Sequence, residues 1–151
     1  MEMNGSQRIA APAAIVWAGL LNSEVLKACV PGCQEMSGDA QTGFEATVVQ
    51  KVGPVKATFK GAVTLESMVE PDSLILKGEG KGGAAGFAQG GARVRLTPDG
   101  DGTVLEYAVE AQIGGKLAQL GSRIIDSFSK KMADQFFERF KGVIEGQRTE
   151  V

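Results

Sequence analysis

The chain has 151 residues, enough for one compact domain spanning residues 1–151 and too few for two ordinary ones. Apolar residues make up 43% and charged residues 23%, the balance of a globular protein, and a net charge of −2 offers no overall basic field to gather nucleic acid. Histidine is absent, which removes a Ser-His triad, a histidine general base and every histidine-containing zinc site.

The opening, "MEMNGSQRIAAPAAIVWAGLL", lacks the basic start of a secretory signal, and no stretch approaches the roughly 18–20 apolar residues of a membrane span. A cytoplasmic location is therefore expected. Residues 2–9 suit a first strand. Pro12 suits the first turn of a helix that "AAIVWAGLL" carries to Leu21, with Trp17 reading as core rather than ligand wall. Asn22 and Ser23 offer the cap of a second short helix, "EVLKACV", which Pro31-Gly32 ends. Cys29 and Cys33, in "CVPGC", have no second pair of metal ligands beside them and read as two reduced thiols.

From residue 34 to residue 113 the text is a succession of strands and turns, punctuated by "SGDAQTG", "GP", "EPDS", a glycine run and "PDGDG". "VKATFKGAVTLE" places Val55, Ala57, Phe59, Val63 and Leu65 on one side and Lys56, Thr58, Lys60, Thr64 and Glu66 on the other. "VLEYAVEAQI" alternates in the same way, with Leu105, Tyr107, Val109, Ala111 and Ile113 opposite Glu106, Glu110 and Gln112. Turn-linked strands with one wet face mean an antiparallel sheet. In "GKLAQLGSRIIDSFSKKMADQFFERFKGVI" the period changes: apolar residues at 117, 120, 124, 128, 132, 136, 140 and 143 predict one amphipathic helix of about 28 residues, roughly 40 Å long. The order is strand, two short helices, about six more strands, then one long helix, an α+β arrangement.

The glycine run, "KGEGKGGAAGFAQGGARV", invites a phosphate-binding reading, but strand text follows it and no GK[ST] is present. Its glycines read instead as the means of bending the sheet, with Gly78, Gly80, Gly90 and Ala92 leaving space on the concave side. A curled sheet closing on a long helix need not fill its interior, and such gaps take small molecules. Parity and helical spacing nominate the walls: Phe44, Val48, Phe59, Val63, Leu76, Val94, Leu105, Tyr107 and Val109 from the sheet, and Leu117, Leu120, Ile124, Phe128 and Met132 from the helix. Tyr107 brings a hydroxyl to this apolar face, to bond backbone or to orient a ligand carbonyl. Gln50 shares the inward parity and sits at a strand end. Gly121 reads as a close-packing or soft point of the helix, and "SKK" (129–131) as a small outer basic patch.

This order of elements resembles the Bet v 1/START-like (SRPBCC) superfamily, whose helix-grip fold curves an antiparallel sheet of about seven strands around a long C-terminal helix. Within it, "PGCQEM", the glycine run and above all "GGKLAQLGSRIIDSFSKKMADQFFERF" resemble the CoxG family of carbon monoxide dehydrogenase subunits over nearly the whole chain. The resemblance implies a non-enzymatic accessory protein of a molybdenum carbon monoxide dehydrogenase-type oxidoreductase. It would carry an isoprenoid quinone (menaquinone or ubiquinone) or a lipid between membrane and enzyme, with no catalytic residues and no cofactor beyond that bound molecule. It also implies transient contact with the membrane surface, peripheral at the inner face of the cytoplasmic membrane. Many members continue past the helix into a low-complexity tail; this chain stops at Val151, so stable anchoring is not expected of it. Two other functions remain open at this point: an assembly or recruitment factor without ligand transport, and a cyclase-like or hydrolase-like enzyme, which the scarcity of inward ionisable groups disfavours.

Overall fold

Alternation with one wet face does build a sheet that dominates the structure, a computed structural model that describes residues 1–149. The elements are β1 (Glu2–Ile9), α1 (Ala13–Leu20), α2 (Ser23–Cys29), β2 (Cys33–Asp39), β3 (Gly43–Val52), β4 (Val55–Val69) and β5 (Ser73–Lys81). A single 3-10 turn (Gly83–Ala85) precedes β6 (Phe87–Asp99), β7 (Gly102–Gly114), α3 (Lys116–Gln119) and α4 (Ser122–Thr149). The strands form one antiparallel sheet in the order β1-β7-β6-β5-β4-β3-β2, so β2 to β7 are successive hairpins and β1 pairs with the last of them. The first and second strands in the chain therefore stand at opposite edges, and α1 and α2 bridge them. Among the described residues, no helix is long and apolar enough to cross a membrane.

Local chemistry sets the junctions. Pro12 caps α1, and the Asn22 side chain accepts hydrogen bonds from the backbone N–H groups of Glu24 and Val25 to start α2. Buried Thr103 donates its hydroxyl to the Ala11 carbonyl at 2.7 Å, tying the approach to α1 onto β7. The Ala10 N–H donates to the Glu145 carboxylate at 3.0 Å, which pins the far end of α4 to the end of β1. Gln50 donates its amide to the Pro31 carbonyl, so it clamps the α2–β2 connection at the sheet edge. Cys29 is buried and Cys33 half-buried, both as free thiols, and burial pushes each thiol's pKa up.

The core divides in two. The larger cluster joins α1 and α4 to the sheet through Ile9, Val16, Trp17, Leu96, Leu105, Phe140 and Ile144. A smaller one, Val52, Leu117 and Ile125 with Phe59, Leu120 and Phe128 around it, closes the end beside α3.

Two sequence expectations need correction. The C-terminal helix is not continuous through Gly121: that residue has φ +88°, left-handed backbone that suits glycine, and it separates α3 from α4. The long helix has 28 residues but begins at Ser122. Of the four small residues expected to widen the concave side, Ala92 lines the interior space, as does Gly61 on the neighbouring β4. Gly78, Gly80 and Gly90, paired across the strands with Val63, Gly61 and Gly78, share that face of the sheet but lie beyond the lining. Gly90 instead allows β6 to lie close against β7, where a β-carbon would collide with the Glu110 carbonyl.

Candidate functional site

Between the concave face of the sheet and α4 lies a cavity of about 610 Å³, within the range of roughly 300–1,000 Å³ occupied by small-molecule pockets. The period of two along each strand sends every second side chain into it. β3 supplies Phe44, Ala46 and Val48; β4 supplies Gly61, Val63 and Leu65; β5 supplies Leu74 and Leu76; β6 supplies Ala92 and Val94; β7 supplies Leu105, Tyr107 and Val109. The roof is α4, which presents two adjacent rows, Phe128, Met132 and Phe136 beside Ser129, Ala133 and Phe137. Leu20, Leu21, Leu26, Val30 and Pro31 close the side where α1 and α2 bridge the sheet edges, with Met3 and Met36 from the edge strands themselves.

Only two of these residues carry a polar side-chain group, Tyr107 and Ser129, and among the described residues no Asp, Glu, Lys or Arg lines the space. The Tyr107 ring stacks on Phe137, with centroids 5.2 Å apart and planes at 21°. Its hydroxyl reaches the gap between β1 and α4, where a β-carbon on Gly5 would collide with it. Burial first, and then the nearby Asp134 carboxylate, push the phenol above its ordinary pKa, so it is a neutral hydrogen-bond donor at physiological pH. Ser129 donates to the Met1 thioether sulfur at 3.0 Å. Met3, Tyr107 and Ser129 also border an outer groove of about 430 Å³ that holds Glu2, Asp126, Lys130 and Asp134. The polar groups of the cavity thus sit together where it meets the outside.

Of the residues nominated by sequence, Phe44, Val48, Val63, Leu76, Val94, Leu105, Tyr107, Val109, Phe128 and Met132 line this space. Phe59, Leu117, Leu120 and Ile124 do not. Phe59 has the inward parity, but it stands near the β3–β4 hairpin, where Leu117 and Leu120 pack in to form the smaller core cluster. Ile124 is 37% exposed because a strict every-fourth-residue row drifts by about 40° per step around a 3.6-residue helix, so at the start of α4 the inward position is Ile125. Gln50 and Trp17 lie outside the lining, the former in its clamp and the latter in the core. The contributions of α1, α2 and the edge strands went unread. Apolar residues at the ends of short helices look like any core residue, and only the bridge between sheet edges puts them beside the space.

The arrangement offers no activated nucleophile, no charged acid–base pair and, among the described residues, no cluster of three metal-ligating side chains. It can enclose an apolar molecule and hydrogen-bond one polar end of it.

A curved seven-stranded antiparallel sheet closed on one long C-terminal helix, with an apolar cavity between them, defines a START-like protein of the helix-grip type. A START superfamily protein from Mycobacterium smegmatis shares this fold with a TM-score of 0.72 at 12% identity, covering 97% of this chain and 98% of that one. The crystal structure of a conserved protein from Geobacillus kaustophilus is more alike, with a TM-score of 0.90 and 25% identity over 97% of this chain and 96% of that one. The chain belongs to the CoxG family of carbon monoxide dehydrogenase subunits, whose sequence profile matches residues 5–145. Among curated proteins, none matches the sequence.

Proposed function

We propose that this protein is a non-enzymatic carrier that holds an elongated apolar molecule, an isoprenoid quinone or a lipid, and serves a carbon monoxide dehydrogenase-type oxidoreductase. The observation that carries the proposal is the cavity of about 610 Å³ with no charged residue among the described residues that line it. Burial of apolar surface contributes roughly 25 cal/mol per Å², so these walls can retain an apolar chain without any ionic contact. The Tyr107 hydroxyl, beside the gap between β1 and α4, would donate a hydrogen bond to a carbonyl at one end of that molecule. Membership of a family of dehydrogenase subunits supports the choice of partner. The carrier would take its cargo at a membrane surface and release it to the enzyme.

The test is native mass spectrometry with organic extraction, on protein purified from its own host. A quinone or lipid recovered near one per chain is the expected result. An empty protein that still binds the dehydrogenase would replace this reading with an assembly or recruitment role.

A further inference from the structure

The charges of this chain are sorted between the two ends of the sheet. The β2–β3, β4–β5 and β6–β7 turns (39–43, 69–73 and 99–102) carry Asp39, Glu70, Asp72, Asp99 and Asp101 and no Lys or Arg. At the opposite end, the β3–β4 hairpin (51–60), the β5–β6 connection (81–87) and the link from β7 into α4 (114–123) carry Lys51, Lys56, Lys60, Lys81, Lys116 and Arg123 and no Asp or Glu. All six cations are exposed. The acidic neighbour that pairs with one of them is Glu79, 3.9 Å from Lys81.

Register makes this end stranger still. Lys51 stands directly opposite Lys56 across β3 and β4, and Lys60 directly opposite Lys81 across β4 and β5. Like charges placed directly across a sheet oppose folding, so the fold by itself does not account for them. Large apolar side chains are exposed at both ends, Met68 and Val69 beside the acidic β4–β5 turn and Phe87 at 44% and Ile124 at 37% here, so it is the cations around Phe87 and Ile124 that set this end apart. Behind them lies the smaller core cluster, and Phe128 belongs both to its surroundings and to the cavity wall.

We infer that this end of the folded chain docks onto an anionic lipid surface, with Phe87 and Ile124 entering the interface and the six cations meeting the headgroups. Exposed apolar side chains ringed by lysines fit a bilayer interface better than an acidic protein face, which rewards the charge alone. At the far end Arg8 pairs with Asp99 and Asp101, and Asp39, Glu70 and Asp72 in the other two turns are repelled by the same surface, which fixes the orientation. The inference deepens the carrier reading by naming the face that meets the membrane, and it rests on that reading's membrane contact whatever the cargo is.

The experiment is vesicle flotation of the full chain, with phosphatidylcholine vesicles and with an equal mixture of phosphatidylcholine and phosphatidylglycerol. The chain should float with the mixed vesicles at low salt and come off at high salt. Each cation near such a surface is worth about fivefold in binding, so Lys51→Gln/Lys56→Gln/Lys81→Gln/Lys116→Gln should weaken it by more than about a hundredfold. Lys27→Gln/Lys131→Gln, at exposed positions elsewhere, should stay within about twofold of the parent on the same scale. Removing the opposed lysines relieves repulsion, so the quadruple variant should melt no lower than the parent, which excludes misfolding as the cause. Equal flotation with both vesicle types, or equal loss in both variants, overturns the inference. If the quadruple variant keeps its vesicle binding and loses the dehydrogenase instead, the end serves an acidic protein face and the lipid surface is ruled out. Flotation as expected from a protein that yields no extractable cargo would sink the carrier reading and leave the docking face standing.

Discussion

Tyr107 gives most of its surface to apolar contact and keeps one polar atom at the edge of the cavity. Its ring lies against Phe137, and Gly5 on β1 leaves room for the hydroxyl. Tyr107→Phe preserves the stack and should change stability by less than about 1 kcal/mol, because the hydroxyl stands at the opening rather than deep in the core. If that hydroxyl donates to a ligand carbonyl, the same variant should bind a short-chain quinone about five- to tenfold more weakly and bind a plain hydrocarbon unchanged, as a lost hydrogen bond of about 1 kcal/mol requires. Isothermal titration with the two compounds separates the outcomes, and equal weakening of both would refute the carbonyl contact. Thr103 offers the contrasting case of a polar group with a purely structural partner. It is fully buried and donates to the Ala11 carbonyl, so Thr103→Val keeps the shape and strands that carbonyl. A loss of about 1–3 kcal/mol in urea unfolding is expected, against almost none for Thr97→Val on the exposed face of β6.

At the scale of elements, Gly121 separates two readings by the sign of one measurement. In a continuous helix, Gly121→Ala would stabilise by about 1 kcal/mol. At φ +88° the added β-carbon meets unfavourable left-handed backbone instead, and a destabilisation of about 1–2 kcal/mol is expected in urea unfolding. No neighbouring atom lies within 4 Å of that β-carbon, so the effect belongs to the backbone alone. The same residue marks the limit of what was legible in the sequence. The strands were readable because Leu105, Tyr107 and Val109 alternate with polar partners, and a one-residue slip would turn the whole wall outward. The helix was readable as amphipathic but not in phase. A single glycine carries no signal of its own φ, and within α4 a row counted every fourth residue drifts by about 40° per step, so it ends on Ile124 where Ile125 faces inward. The roof's second row, Ser129, Ala133 and Phe137, was hidden for a related reason. A helix lying in a concave sheet buries a wider face than one seven-residue seam, and small residues there leave no hydrophobic mark. The side wall from α1 and α2 depends on the closure of the sheet edges, a contact between residues far apart in the chain.

For the molecule as a whole, the question is whether the space under α4 is kept open at the expense of stability. A filled core resists extra carbon: adding methylenes to packed residues typically costs about 1–3 kcal/mol. Around a void the added atoms find partners they lacked and gain dispersion. Ala46 lines the space from β3 and Ala133 lines it from α4, so Ala46→Leu/Ala133→Leu tests it directly. The ligand-free double variant should melt at or above the parent, while its occupancy by extracted quinone or lipid should fall by at least about tenfold, the loss expected when roughly 1.4 kcal/mol of contact is denied. The parent should behave in the opposite way toward cargo. Ligand at a hundred times its Kd adds about 2.7 kcal/mol to the folded state, or roughly 5–10 °C in Tm for a chain of this size. A double variant that melts lower than the parent and still retains cargo would mean that the cargo sits elsewhere. A double variant that is stabilised, empty and unresponsive to quinone would show that the curvature set by seven strands exists to hold apart walls that would otherwise meet.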